Sequence, residues 1–143
     1  MTQYPLPSFH FKVDWGGTRI GFSEVSGLTV ETNVVEYREG ASPDYSVIKI
    51  PGLRKSSNLV LKRGMIKGDN DFFNWWNSQK AGSAERRDVV ISILDEEHKP
   101  VAVWKARNAF PAKIEWSSLN ASSNEILIES MEITHEGLTF ENG

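Results

Sequence analysis

The three histidines are the side chains of this sequence best suited to binding a metal or moving a proton near neutral pH. His10, His98 and His135 are far apart along the 143 residues, and none has a second histidine at the short H-x-x-x-H type of spacing used by zinc sites. The chain has no cysteine, which excludes disulfides, thiolate metal sites and cysteine nucleophiles. We therefore expect neither a metal centre nor a cofactor.

Two pairs of carboxylates have the composition of a general acid and base, but not the geometry. Glu96 and Glu97 are adjacent in a polar turn and project differently. Glu125 and Glu129 are four residues apart in a predicted strand, which separates them by ~13 Å, beyond the ~5–9.5 Å of glycosidase pairs. The sequence also lacks a G-x-S-x-G elbow, a P-loop and a G-x-G-x-x-G turn. We predict that the protein is not an enzyme.

Composition narrows the classes of partner. The formal net charge is -3, which argues against a dedicated nucleic-acid binder and, more weakly, against docking on anionic membranes. No apolar run approaches the ~20 residues of a membrane span, and the first residues lack the pattern of a secretory signal. The length suits one domain over residues 1–143. We expect a protein made in the cytoplasm.

Alternation of apolar and polar residues predicts a mainly β protein. The expected strands are residues 9–15, 20–25, 28–39, 58–62, 88–94, 100–110, 113–119 and 124–135, with a hairpin turn at Gly16-Gly17 joining the first two. The lack of alternation between strands and helices argues against a parallel nucleotide-binding sheet. The predicted fold is two packed antiparallel sheets, a β-sandwich or small barrel, with one covering helix.

The single predicted helix spans about residues 69–80 and is rich in aromatic residues. Asp69 or Asn70 can cap its N-terminus, and four rings occupy five positions: Phe72, Phe73, Trp75 and Trp76. The i, i+4 spacing predicts that Phe72 lies over Trp76. So much apolar area must cover a sheet or a neighbouring subunit.

Residues 40–57 are predicted to form a long loop, which is uncommon inside a compact domain and often functional. This segment ends near the first of three basic pairs, Arg54-Lys55, Lys62-Arg63 and Arg86-Arg87. Scattered basic pairs usually lie on a solvated surface. The alternative is that some of them meet acidic residues of a neighbouring subunit, such as Glu36, Glu39, Asp95, Glu96 or Glu97, and so set the register of an assembly.

Seven segments, taken in order, carry a resemblance to a known family. They are FSEVSGL (22–28), EYREG (36–40), KIPGLRK (49–55), LKRG (61–64), RRDVVISILDE (86–96), NAFP (108–111) and SSNEILIESMEITHEGL (122–138). Each is weak alone, but the ordered set spans nearly the whole chain. It resembles the inner-tube protein of contractile injection systems, a family that includes the tail tube subunit of contractile-tailed phages. The proline-rich opening at residues 4–7 also looks like the extracellular and phage-like members.

The resemblance implies a structural subunit that forms six-membered rings, which stack into a hollow tube with a continuous β-barrel around its bore. Implied partners are further copies of the chain, a sheath protein, a baseplate or spike, a terminator, and a cargo of DNA or effector protein; the subunit itself would not bind membranes. The implied final location is a phage tail or an extracellular or cell-associated injection particle.

The residues expected to carry this function come from the long loop, from one basic pair and from the polar positions that alternate with apolar ones in strand 28–39. The expected contacts between subunits or stacked rings are Tyr45, Lys49, Ile50, Pro51, Leu53, Arg54, Lys55, Arg86 and Arg87. Thr29, Glu31 and Asn33 are candidates for facing the bore.

A binding module is the alternative interpretation of the same pattern. A β-sandwich could bind carbohydrate or peptide, with Trp104 and Trp116 as stacking platforms. A small hydrolase has no residues to support it.

Overall fold

The computed structural model describes residues 5–17, 21–41 and 47–142. Within these residues it contains nine strands and one helix. In chain order they are β1 (Phe11–Asp14), β2 (Glu24–Ser26), β3 (Val30–Tyr37), β4 (Ile48–Ser56), β5 (Leu59–Gly64), α1 (Asp71–Asn77), β6 (Arg87–Leu94), β7 (Pro100–Trp116), β8 (Ile128–Thr134) and β9 (Gly137–Asn142). The predicted mainly β, antiparallel fold with one helix is confirmed.

The long strand β7 belongs to two sheet layers. Its first part pairs with β6 on one side and β9 on the other, while its last part pairs with β8, so the strand order is β1-β6-β7-β8-β5-β2. The sequence predicted two strands separated by Pro111. The structure instead has one strand with a register shift between Pro111 and Lys113, because a bulge lets a strand continue past a residue that cannot donate a ladder hydrogen bond. Strand β9 was not predicted.

One hydrophobic core lies between the two layers. It combines Val13 of β1 and Ile91 of β6 with Leu61 of β5 and Met131 of β8. This arrangement explains why the hairpin predicted at Gly16-Gly17 is wrong. Strand β1 pairs with β6 and β2 pairs with β5, so these two strands belong to different layers.

The helix closes the core with one of its two aromatic sides. Phe72 and Trp75 are buried, and the ring of Phe72 packs edge-on against Trp15 at 4.9 Å between centroids. Phe73 and Trp76 are exposed and contact each other at 5.9 Å, so the expected pairing of Phe72 with Trp76 is wrong. The N-cap residue is Asn70, which makes no side-chain cap hydrogen bond. The carboxylate of Asp69 accepts the N–H of Asp71, the first helical residue, at 3.1 Å.

Strands β3 and β4 form a separate two-stranded sheet that continues the β2–β5 ladder. Ser26 pairs with Val60 and Val30 pairs with Ser56, so the same register holds on both sides of an interruption at Gly27. Gly27 has φ +88°, and a Cβ there would lie 2.1 Å from the carbonyl oxygen of Asn58. Only glycine can make this kink. Residues 24–37 and 48–64 are therefore one long hairpin, and the long loop predicted at 40–57 is wrong over its second half.

Candidate assembly surfaces

The β3–β4 hairpin exposes apolar side chains on both faces. We call β3, β4 and the described residues between them (38–41 and 47) the arm. All eight residues of β3 are exposed, and the arm presents eight large apolar side chains to solvent: Val30, Val34, Val35, Tyr37, Val47, Ile48, Ile50 and Leu53. An isolated two-stranded hairpin is at best marginally stable in water. The arm therefore needs a surface that its own subunit does not supply.

The predicted interface residues of the KIPGLRK segment lie on strand β4 of the arm, not on a loop. Lys49, Ile50, Pro51, Leu53, Arg54 and Lys55 are all exposed. Tyr45 lies outside the described residues. Because directly paired residues share a face, Ile50 lies with Val35 on one face and Pro51 lies with Val34 on the other. The predicted residues thus present both faces of the arm.

The residues predicted to face the bore lie at the base of the arm. Thr29, Glu31 and Asn33 are exposed, and the carboxylate of Glu31 is 3.7 Å from the ammonium of Lys55 on the paired strand. Both of these side chains are more than half exposed, so the pair adds little to stability. The structure leaves these three residues accessible to solvent.

A second polar surface covers the outer side of the layer β2-β5-β8 and the last part of β7. It carries Glu24, Lys62, Glu115, Ser130 and Glu132. The ammonium of Lys62 lies 3.2 Å from Glu24. Sequence reasoning did not select this surface, although the alternation of Leu59 and Leu61 with Val60 and Lys62 is the signal that could have found it.

Arg86 and Arg87 have partners within their own chain. The Arg86 guanidinium is 3.4 Å from Glu136 and lies 4.8 Å from the ring centre of Phe110. Arg87 is 3.2 Å from Glu85 and lies over the Trp75 ring at 4.7 Å, with 23% of its side chain exposed. A role for this pair between subunits stays a prediction.

Arg63 contradicts the expectation that the basic pairs lie on a solvated surface. Its side chain is 2% exposed and lies 3.9 Å from the ring centre of Phe72. Its guanidinium is bound at 3.3 Å by both carboxylate oxygens of Asp69 and by one of Glu129. Neighbouring Lys62, whose side chain is 41% exposed, points to the outer face because adjacent strand residues point to opposite faces. Glu129 is therefore committed to a buried ion pair and not to an acid pair with the exposed Glu125.

Comparison with known proteins identifies the family. A family profile for the T4-like virus tail tube protein gp19 matches residues 7–139. The chain belongs to this tail tube family. The resemblance stated from the sequence is thereby confirmed. No curated protein sequence matches the chain significantly.

Solved tube structures have the same fold over the full length of the chain. The tube protein of the extended PVC sheath-tube complex, an extracellular contractile injection system, is 30% identical, with a TM-score of 0.90 over 99% of this chain and 94% of that one. A chain of the anti-feeding prophage cap, which terminates the tube, is also 30% identical, with a TM-score of 0.91 over 100% and 95%. Hcp1 from Flavobacterium johnsoniae shares only the fold, at 14% identity and a TM-score of 0.58 over 94% and 97%.

The two tryptophans of the alternative interpretation do not form a shared platform in this tail tube fold. They lie twelve positions apart on the single strand β7, which separates them by roughly 40 Å. Trp104 packs on Phe140 of β9 at 5.1 Å, whereas Trp116 lies 6.4 Å from Phe73 of the helix. The comparisons do not support a carbohydrate- or peptide-binding module.

The three histidines do not form a common cluster in the described residues. His10 and His98 contact each other edge to face at 4.7 Å, although the sequence separates them widely. The Nε2 of His135 donates to the Ser57 carbonyl at 3.0 Å, next to the kink at the base of the arm. Over residues 5–17, 21–41 and 47–142, no three His, Asp or Glu residues are grouped as metal ligands, and no helix is long and apolar enough to cross a membrane.

Two neighbouring groups alter the acidity of Asp88. Its carboxylate accepts the backbone N–H of Asn108 at 3.0 Å and lies 3.5 Å from the ammonium of Lys105. These two interactions, the backbone hydrogen bond first, hold the pKa of Asp88 below its usual value. Asn108 has φ 51°, so the hydrogen bond also fixes a left-handed residue inside a strand.

Proposed function

We propose that this chain is the structural subunit of the inner tube of a contractile injection machine, in which six-membered rings stack into a hollow tube. The observation that supports this most strongly is the arm. A hairpin with eight exposed large apolar side chains is unsuited to a soluble monomer but is expected of a subunit whose neighbours cover it. The family of the chain agrees with this assignment.

The proposed partners follow from the assemblies in which similar chains were solved. These include a sheath-tube complex, a tube-terminating cap and a sheath/tube terminator. We propose that this subunit likewise binds further copies of itself, a sheath, a terminator, and a baseplate or spike. The proposed role is non-enzymatic, because the work of the tube is to stay rigid while a sheath pushes it.

We propose that the bore is lined by the outer side of the β2-β5-β8-β7 layer together with Thr29, Glu31 and Asn33. Both surfaces belong to the long hairpin that the kink at Gly27 divides. Glu24, Glu115 and Glu132 outnumber Lys62 and Lys113 on the outer side of the layer. A wall with a slight acidic excess would reduce sticking of a DNA or effector cargo that carries negative charge.

We propose that the subunit is made and assembled in the cytoplasm and reaches its final place in a phage tail or an extracellular or cell-associated particle. The similar PVC tube is part of an extracellular contractile injection system. Release of the whole particle would remove the need for a secretory signal on the subunit.

Size-exclusion chromatography and negative-stain microscopy of the purified chain test the proposed function. We expect rings or tubes with a central hole. Leu53→Asp should abolish them, because it puts a charge on an arm residue that is 81% exposed in the lone subunit. Phe9→Asp is the matched control, since Phe9 is equally exposed but lies outside the arm, and it should still assemble. A wild-type chain that stays monomeric at high concentration would contradict the proposal.

A further inference from the structure

Most of the exposed apolar side chains fall into two groups. Among the described residues, eighteen large hydrophobic side chains are exposed, and eight of them belong to the arm. Seven more form a second group, which we call the aromatic patch: Met65, Ile66, Phe73, Trp76, Trp116, Leu119 and Ile126. Only Leu6, Phe9 and Phe140 lie outside both groups.

The aromatic patch occupies one end of the β5-β8-β7 layer. The ring of Phe73 contacts Trp76 at 5.9 Å and Trp116 at 6.4 Å. Trp116 is the last residue of β7, and Met65 directly follows β5 and donates its N–H to the carbonyl of Leu127 at 2.9 Å. The patch is therefore built from the helix and from the chain segments that leave this end of the layer.

The arm leaves the same layer at its other end. Strand β5 begins at Leu59, just after the arm, and ends at Gly64, next to the patch. Its six residues separate the two surfaces by about 20 Å. A subunit therefore does not cover its patch with its own arm, and each copy presents both surfaces at opposite ends.

We propose that the arm of one subunit docks on the aromatic patch of a neighbouring copy. This inference rests on the proposed tube function and names the surface that receives the arm. Each group exposes apolar area on the order of several hundred Å², comparable with the ~800 Å² that each partner buries in a standard interface. Branched aliphatic side chains such as Ile48, Ile50 and Leu53 would pack against the rings of Phe73, Trp76 and Trp116, the residue types that dominate interface energies.

A second copy fits the patch better than a sheath or cargo protein does. Contacts that extend a ring or a stack of rings are heterologous, so they need two different complementary surfaces on one chain. The arm and the patch occur once each in every subunit, so their pairing covers both. A sheath or cargo on the patch would leave every arm still exposed.

Engineered cysteines test the docking directly because the native chain has none. The test variant carries Leu53→Cys and Trp76→Cys, and the assembled particles are treated with a short thiol crosslinker. The control carries Leu53→Cys and Phe140→Cys, in which the second cysteine replaces an exposed aromatic residue outside both groups. We expect a ladder of dimers, trimers and larger species from the test variant, and at least tenfold less of it from the control.

The outcomes separate this inference from the proposed function. Tubes that form but give no ladder, or a ladder as strong in the control, overturn the docking while leaving the tube function intact. Absence of tubes in the wild-type chain overturns the function itself. The single variant Trp76→Cys gives a second measurement: its thiol should lose reactivity toward a bulky maleimide on assembly. A thiol that stays reactive in the tube would assign the patch to a sheath or other outer partner.

Discussion

Strands β4 and β5 belong to one long hairpin and yet have opposite environments. Alternate residues of β5 are buried in the core, whereas almost every residue of β4 is exposed. The kink at Gly27 divides them. Strand β5 packs into the core of its own subunit, whereas β4 has regular strand structure but no core within the subunit. Folding and assembly of a tube subunit can therefore depend on different residues of one ladder. Those of β5 stabilise the fold, and those of β4 are available for contacts between subunits.

The largest loss of stability should come from removing a buried charge on β5. Arg63→Ala removes the guanidinium that lies between Asp69 and Glu129 and leaves two carboxylates buried without it. Breaking a buried pair in this way costs about 3–5 kcal/mol. Urea denaturation of the variant should show a large fall in midpoint or no cooperative transition at all. Lys62→Ala, one residue earlier, removes a side chain that is 41% exposed and should change stability by less than ~1 kcal/mol.

Two leucines of the hairpin give the sharpest test of the comparison itself. Leu61 on β5 is fully buried and Leu53 on β4 is 81% exposed. Leu61→Ala should destabilise the subunit by about 2–5 kcal/mol, because it leaves a cavity in the core. Leu53→Ala should change monomer stability by no more than ~0.5 kcal/mol but shift tube assembly to higher protein concentration.

The Leu61 and Leu53 variants are compared by chemical denaturation and by light scattering during assembly. If Leu53→Ala unfolds the monomer as readily as Leu61→Ala, then the arm is part of the subunit's own core, and the division at Gly27 is wrong.

The kink should respond to a single methyl group. Gly27→Ala forces a Cβ against the Asn58 carbonyl at a positive φ, and a strained backbone of this kind costs about 1–3 kcal/mol. Because the kink directs the arm, we expect a modest fall in thermal stability and a larger loss of assembly. Gly40→Ala is the control, since nothing lies within 4 Å of the added Cβ there. Equal behaviour of the two variants in both assays would show that the kink does not direct the arm.

The sequence predicted those parts of the fold in which local pattern and tertiary environment agree. Alternation located β6 and β8 because one face of each strand packs on the core. Alternation failed at β4, where the glycine and proline within IPG resemble a loop. In this hairpin a bulge accommodates the irregular residues, and the apolar side chains are explained by assembly rather than by a core. Alternation also failed at Arg63 because no local pattern reports that two distant carboxylates, Asp69 and Glu129, converge on one side chain.

The sequence predicted which segment of the chain contributes to the candidate site, but not which residues from different segments form a common surface. The segment with Ile50 and Leu53 was chosen from its composition and is exposed on the arm as an interface requires. The aromatic patch could not be assembled from the sequence, because Phe73 and Trp116 meet only when the helix packs over the end of β7. Four aromatic residues in the five positions 72–76 predicted a covering helix, but which two face outward depends on the core.

The smallest expected effect concerns Asp88, an exposed residue near the start of β6. Its pKa is lower in the folded chain than in the unfolded chain, so the folded state binds protons less readily. The carboxylate therefore contributes stability above the unfolded pKa, and this contribution is lost as the pH falls through the folded pKa. Asp88→Asn removes that titration, so thermal melts should show a slightly shallower loss of stability below pH 4 than in the wild type. Glu96→Gln replaces an exposed carboxylate in the turn after β6 and serves as the comparison. If Asp88→Asn leaves the loss of stability at low pH unchanged, the Asn108 hydrogen bond does not hold Asp88 in its charged form.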